Sequence, residues 1–93
     1  MKYRSKIDII SQILNAANGG GATRSKMAYQ AFLNYDQLKK TLTALVENNL
    51  LLYDRNTQTF KTTEKGLRFL KLYNEISGMI KGEQTPQETW IQR

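Results

Sequence analysis

Thr23-Arg24-Ser25-Lys26-Met27-Ala28-Tyr29-Gln30-Ala31-Phe32-Leu33-Asn34-Tyr35-Asp36-Gln37-Leu38 decides how this chain folds, because it carries two helix-start signals in close succession. Thr23 offers a side-chain oxygen to the free N–H groups of a following turn, the role of an N-cap. From Arg24 onward, Met27, Ala28 and Ala31 line one face, while Ser25, Lys26, Tyr29 and Gln30 point away. This predicts a helix of about two turns. Phe32-Leu33-Asn34 interrupts it, and Asn34 starts another helix with Gln37 at the capping-box position. That helix is predicted over Tyr35 to about Glu47. At about 100° per residue, its Leu38, Leu42, Leu45 and Val46 share a third of the circumference and are assigned to the core. Tyr35 is read as packing towards the same apolar side. Asp36, Lys40, Thr43 and Glu47 fall opposite. Two short helices joined by a tight turn, the second capped by a polar residue and polar on its outer face, spell a helix-turn-helix.

Working outward, Asn48-Asn49 closes the second helix. Leu50-Leu51-Leu52-Tyr53 is too brief for another and reads as a buried strand. Asp54 to Gln58 is turn-rich, and Thr59-Phe60-Lys61-Thr62 alternates as an edge strand does. A hairpin placed there turns the helix-turn-helix into a winged helix. Upstream, Ser5 and Asp8 form a shortened capping box, and Ile7, Ile10, Ile13, Leu14 and Ala17 give one apolar face over Lys6 to about Ala17. Asn18-Gly19-Gly20-Gly21 ends that helix; no Gly-Lys-Ser/Thr follows, so a phosphate-cradling loop is not the reading. Downstream, Thr63-Glu64-Lys65-Gly66 opens a long helix expected to reach Lys81 and stop at Gly82. Thr85-Pro86-Gln87-Glu88 is a further start signal, and Trp90 and Ile91 are tail residues able to dock on the body. The fold class is therefore mainly α with a small β-hairpin. Residues 1–82 form a winged helix-turn-helix domain including its long C-terminal helix, and residues 83–93 form a tail.

Composition bounds the chemistry. A chain of 93 residues with 40% apolar and 24% charged residues supports one hydrophobic core. It contains no cysteine and no histidine, which removes disulfides, thiol nucleophiles, Cys/His zinc sites and imidazole acid–base catalysis. The acidic residues are scattered, so no enzyme activity, metal or cofactor is expected, and no small-molecule ligand is evident. No run is long and apolar enough for a bilayer span, and Met1-Lys2-Tyr3-Arg4-Ser5 lacks the core of a signal peptide, so a cytoplasmic, nucleoid-associated protein with no membrane partner is expected. Fourteen Lys and Arg against eight Asp and Glu give +6, the electrostatic footprint of a protein that meets polyanions.

Four segments together resemble a known family. They are Ile9-Ile10-Ser11-Gln12-Ile13-Leu14; Gly21-Ala22-Thr23-Arg24-Ser25-Lys26-Met27; Leu33-Asn34-Tyr35-Asp36-Gln37-Leu38; and Thr63-Glu64-Lys65-Gly66-Leu67-Arg68-Phe69-Leu70. In this order and spacing, over about Tyr3 to Ile80, the chain resembles the small archaeal winged-helix proteins. These are dimeric DNA-binding proteins described as chromatin-associated proteins or transcriptional regulators. The resemblance implies double-stranded DNA as partner and dimerisation through the C-terminal helix, often as an antiparallel coiled coil. Here that helix meets Gly82 and Pro86 early, a departure from the family pattern.

Candidate DNA-contacting residues follow from the helix-turn-helix geometry. Thr23, Arg24, Ser25 and Lys26 place hydroxyls, N–H groups and cations at a helix N-terminus, a ready phosphate site, though capping with exposed charge would use the same residues. Asn34 and Gln37 begin the recognition helix; Gln37 could read adenine or simply complete the cap. Lys39, Lys40 and Thr43 lie on its outer face, where a plain solvated surface is the alternative. Arg55 at the hairpin tip and Lys61 on its second strand are positioned for phosphates or the minor groove, or for a basic surface loop. A winged helix used only for protein contacts is the alternative function, since a fold does not fix a function. For dimerisation, Phe69, Leu72, Ile76 and Met79 follow a coiled-coil spacing, with Leu70, Tyr73 and Ile80 in a second stripe beside it. One stripe can dock on the first helix, which leaves the other for a second copy or, in a monomer, for the tail folded back over it.

Overall fold

The computed structural model describes residues 5–84. Its elements in chain order are α1 (Lys6–Ala17), α2 (Arg24–Ala31), α3 (Tyr35–Glu47), β1 (Leu51–Asp54), β2 (Thr59–Thr62) and α4 (Glu64–Gln84). Every helix start obeys the local rule that predicts it. Ser5 Oγ accepts from the Asp8 N–H at 3.1 Å while Asp8 Oδ2 accepts from the Ser5 N–H at 3.0 Å. Thr23 Oγ1 accepts from Lys26 at 3.2 Å. Asn34 Oδ1 accepts from Gln37 at 2.8 Å, and Gln37 Oε1 accepts from Asn34 at 3.1 Å. Each bond satisfies an N–H that the helix itself cannot, worth about 1 kcal/mol per cap.

The core is a single cluster in which Ile13 and Leu14 of α1, Met27 and Ala31 of α2, Leu38, Leu42 and Leu45 of α3, Leu51 and Phe60 of the hairpin, and Leu70 of α4 are all buried. β1 and β2 pair antiparallel, with Tyr53 opposite Phe60 and Leu52 opposite Lys61. Residues 51, 53, 60 and 62 thus share the face towards the helices, and 52, 54, 59 and 61 share the other. The hairpin is pinned to the helix-turn-helix by backbone. Ala22 and Phe60 exchange N–H···O bonds of 2.9 and 2.8 Å. Gly21, at φ +92, brings the chain so close that a Cβ there would lie 3.1 Å from Thr59 Oγ1 and 3.3 Å from the Phe60 carbonyl.

The base of α4 is fastened to the end of α3. Thr63 Oγ1 caps α4 by accepting from the Gly66 N–H at 3.0 Å and donates to the Asn49 carbonyl at 2.6 Å. Lys65 Nζ donates to the Asn48 carbonyl at 2.9 Å. Gly66 is buried where a Cβ would stand 2.6 Å from the Leu50 carbonyl oxygen. One turn later Leu70 is buried, and the Tyr73 hydroxyl donates to the Asp8 carboxylate of α1.

Several sequence expectations are corrected. Ile7, Tyr35, Val46 and Leu52 are exposed rather than core. Ile7 lies in the first turn of α1, and Leu52 sits on the hairpin face turned from the helices, so the apolar run 50–53 is buried only in alternation. Tyr35 and Val46 flank the Leu38–Leu42–Leu45 stripe on the side facing the hairpin, where none of the described residues closes over them. Finally, α4 does not stop at Gly82 but continues through it to Gln84; one glycine costs a helix only about 1 kcal/mol. The segment Thr85–Glu88, with Trp90 and Ile91 and most of the 83–93 tail, lies outside the described residues.

Candidate nucleic-acid interface

The outer face of α3 is exposed from Asp36 through Lys39, Lys40 and Thr43 to Glu47. Thr43 Oγ1 donates back to the Lys39 carbonyl at 3.0 Å, which fixes its rotamer along the helix. Lys39 and Thr43 form a ridge between two concavities. On one side a depression of about 470 Å³ is lined by Asp36, Lys39, Lys40 and Thr43. On the other, a cleft of about 610 Å³ separates α3 from the hairpin and is lined by Arg24, Tyr35, Lys39, Val46 and Tyr53 among others. The fold therefore brings Arg24 of α2, Lys39, Lys40 and Thr43 of α3, and Tyr53 of the wing around these two neighbouring concavities.

Arg24 is oriented by the wing. Its guanidinium carbon stands 5.4 Å from the Tyr53 ring centroid and 5.1 Å from that of Phe60, and these two rings pack at 4.7 Å. Ser25 and Lys26 are exposed at the start of α2, beside Thr23, whose hydroxyl is taken by the cap. At α3, Gln37 Oε1 is likewise committed to its capping box, leaving the side-chain NH₂ as the group free to reach outward. Among the described residues, no carboxylate lies within ion-pair distance of Arg24, Lys26, Lys39, Lys40 or Arg55.

Lys61 differs from these cations. Its Nζ lies 3.6 Å from Asp54 Oδ2 across the exposed hairpin face. Asp54 also organises the turn, its Oδ1 accepting from the Asn56 N–H at 2.9 Å and the Thr57 N–H at 3.4 Å. The Asn56 hydrogen bond holds the Asp54 carboxyl below the usual carboxylate range; desolvation opposes it, and the Thr57 hydrogen bonds and the charge of Lys61 add smaller lowering effects. The wing tip is thus a braced turn carrying Arg55, with Lys61 partly neutralised behind it.

Sequence reasoning missed the aromatic character of the cleft. Tyr35 is 64% exposed, with Lys39 Nζ 6.0 Å from its ring centroid. The available signal was its position at the first turn of α3, on the edge of the apolar stripe. On α4, Leu70 and Tyr73 turn to α1, while Leu72, Ile76, Met79 and Ile80 are half or more exposed and Phe69 is half-buried. No helix among the described residues is long and apolar enough to cross a membrane.

Comparison with known proteins agrees with this architecture. A family model described as winged helix-turn-helix matches residues 3–81. Among solved structures, the chain is similar to the crystal structure of Sso10a-2, a DNA-binding protein from Sulfolobus solfataricus. The TM-score is 0.74 at 22% sequence identity, covering 85% of this chain and 84% of that one. No match is found among curated proteins.

Proposed function

The chain belongs to the winged helix-turn-helix family, and from that premise we propose that it binds double-stranded DNA as a homodimer, with α3 in the major groove and the hairpin on the backbone or minor groove. The observation that carries this reading is the convergence of cations from two helices on the groove-sized face of α3. A helix about 10–12 Å across fits a groove about 12 Å wide, and the exposed Lys39, Lys40 and Thr43 would then face it. Thr23, Ser25 and Lys26 at the start of α2, with Arg24 braced on the wing, would hold phosphates. Arg55 at the tip and Lys61, once drawn from Asp54, would extend those contacts. Asn34 sets the entry of α3, and Gln37 offers a single amide donor to a base rather than a bidentate pair, because its oxygen belongs to the cap. The structurally similar Sulfolobus protein is a DNA-binding protein, which supports this reading. No catalytic role is assigned. The role is that of a transcriptional regulator or a chromatin-associated protein, in the cytoplasm with the nucleoid.

Affinity for a random duplex, measured against salt, tests the proposal. It should fall steeply, and Lys26→Gln should reduce the slope of log affinity against log salt by about 1. A slope near zero would overturn it. The same measurement on genomic fragments separates a selective regulator from a general chromatin protein.

The dimer rests on α4. With Leu70 and Tyr73 turned to α1 and Phe69 half-buried against the core, Leu72, Ile76 and Met79, with Ile80 beside them, are left at least half exposed by the described residues. A two-fold pairing of these helices covers them, and two α3 helices on one side of a duplex would then read half-sites about 34 Å apart. Sedimentation equilibrium at micromolar concentration should give twice the 10.7 kDa chain mass, and Ile76→Glu should return it to one. A single-chain mass throughout would refute the dimer.

A further inference from the structure

The cleft between α3 and the wing has a chemistry that duplex DNA does not use. Its floor is apolar, with Leu42 buried beneath an exposed Val46, and its walls are the rings of Tyr35 and Tyr53. Two cations stand at its rim, Arg24 against the Tyr53 ring and Lys39 beside the Tyr35 ring, neither engaged by a carboxylate among the described residues. Its volume of about 610 Å³ lies within the range of about 300–1,000 Å³ that takes small planar ligands. Within a duplex, each base is stacked on both faces and offers only its edges to a protein. An aromatic-walled cleft gains far less from an edge than from a ring face it can stack on. An unpaired base, by contrast, presents a π-face to stack and an adjoining phosphate for the cations, the combination by which single strands are held.

We propose that this cleft takes an unpaired base of single-stranded DNA, stacked on Tyr35 over Val46, with the adjoining phosphates held by Arg24 and Lys39. Tyr35 is the platform because it is 64% exposed, with Lys39 Nζ 6.0 Å from its ring centroid, whereas Tyr53 is half-buried, packs on Phe60 and carries the Arg24 guanidinium more closely. Glu47 also lines the cleft, so the phosphates enter from the Arg24 and Lys39 side. This activity goes beyond the duplex-binding reading and shares only Arg24 and Lys39 with it.

The test uses the full chain with fluorescein-labelled oligo(dT) and a strand of equal length and charge made of abasic sites. Oligo(dT) should bind more tightly than the abasic strand. Tyr35→Ala should weaken oligo(dT) binding by about fivefold to 150-fold and leave the abasic strand unchanged. Tyr35→Phe keeps the ring and should keep the affinity. Tyr29→Ala, which removes an aromatic that is 79% exposed but outside the cleft, should change nothing. Equal binding of the two strands, equal losses for both on Tyr35→Ala, or a loss on Tyr29→Ala as large as on Tyr35→Ala would overturn the proposal. A random duplex run in parallel separates the two readings. If it binds while oligo(dT) does no better than the abasic strand, only the cleft proposal falls.

Discussion

The two ends of α4 are built from similar residues and meet opposite fates. At its base, Gly66 is pressed against the Leu50 carbonyl, Thr63 and Lys65 bond to the backbone that closes α3, and Leu70 is buried in the common core. Beyond Tyr73 the same helix leaves the body, and Ile76, Met79 and Ile80, like Leu72 just before it, are at least half exposed. The apolar residues of the base complete the core, whereas those of the distal half are left uncovered by the described residues. Stability and assembly should therefore be separable by mutation along one helix.

The largest expected effect contrasts two truncations. Leu70→Ala removes a buried side chain and should cost about 2–5 kcal/mol, read as a fall in the denaturation midpoint at constant slope. Ile76→Ala should change the stability of the isolated chain by no more than about 0.5 kcal/mol, so it is compared below the dimerisation range. Similar losses at both positions would erase the distinction.

Glycine substitutions sharpen the same contrast. Alanine at Gly66 would meet the Leu50 carbonyl oxygen and Thr62 Cγ2 at 2.6 Å, whereas nothing lies within 4 Å of a Cβ at Gly78. Gly66→Ala should destabilise by about 1–3 kcal/mol through overpacking. Gly78→Ala should stabilise by up to about 1 kcal/mol through helix propensity. Thermal melts of both variants check the opposite signs.

The smallest effect concerns the wing, as rigidly tied to the body as the base of α4. Asp54 has a lowered pKa in the folded chain, so its contribution to the turn is complete above the ordinary carboxylate pKa of about 3.9 and is lost as pH falls through the lowered value. The Asn56 and Thr57 amide signals should hold steady from neutral pH to about 4 and move only below it. Asp54→Asn should keep those bonds through its side-chain oxygen while freeing Lys61 from its partner, giving slightly tighter DNA binding that salt suppresses. A loss of wing order at neutral pH would show that the charge, not the acceptor geometry, holds the turn.

What was legible in the sequence follows from range. The caps at Ser5, Thr23, Asn34 and Thr63 involve neighbours within three residues, so the residue types announce them, and the boundaries of α1, α2, α3 and β2 follow. Helical periodicity gave the centre of each apolar face but not its edges. Tyr35 and Val46 lie on that edge, and their exposure depends on how far the wing stands from α3, which pairs residues distant in sequence. The same holds for Arg24 on the wing rings and for Lys61 on Asp54. They decide which cations are held in place and which are partly neutralised, and no local pattern encodes them. Gly82 misled for a different reason: a local helix breaker was outweighed by the continuing helix around it.

With DNA proposed on the α3 face, away from the distal half of α4, one titration is the most direct test. Amide chemical shifts of the isotope-labelled protein should be mapped as a short random duplex is added at low salt. The largest changes are expected at Lys26, Lys39, Lys40, Thr43 and Arg55, with Leu72, Ile76 and Met79 unmoved. Shifts concentrated on the distal half of α4 and absent from α3 would contradict this placement.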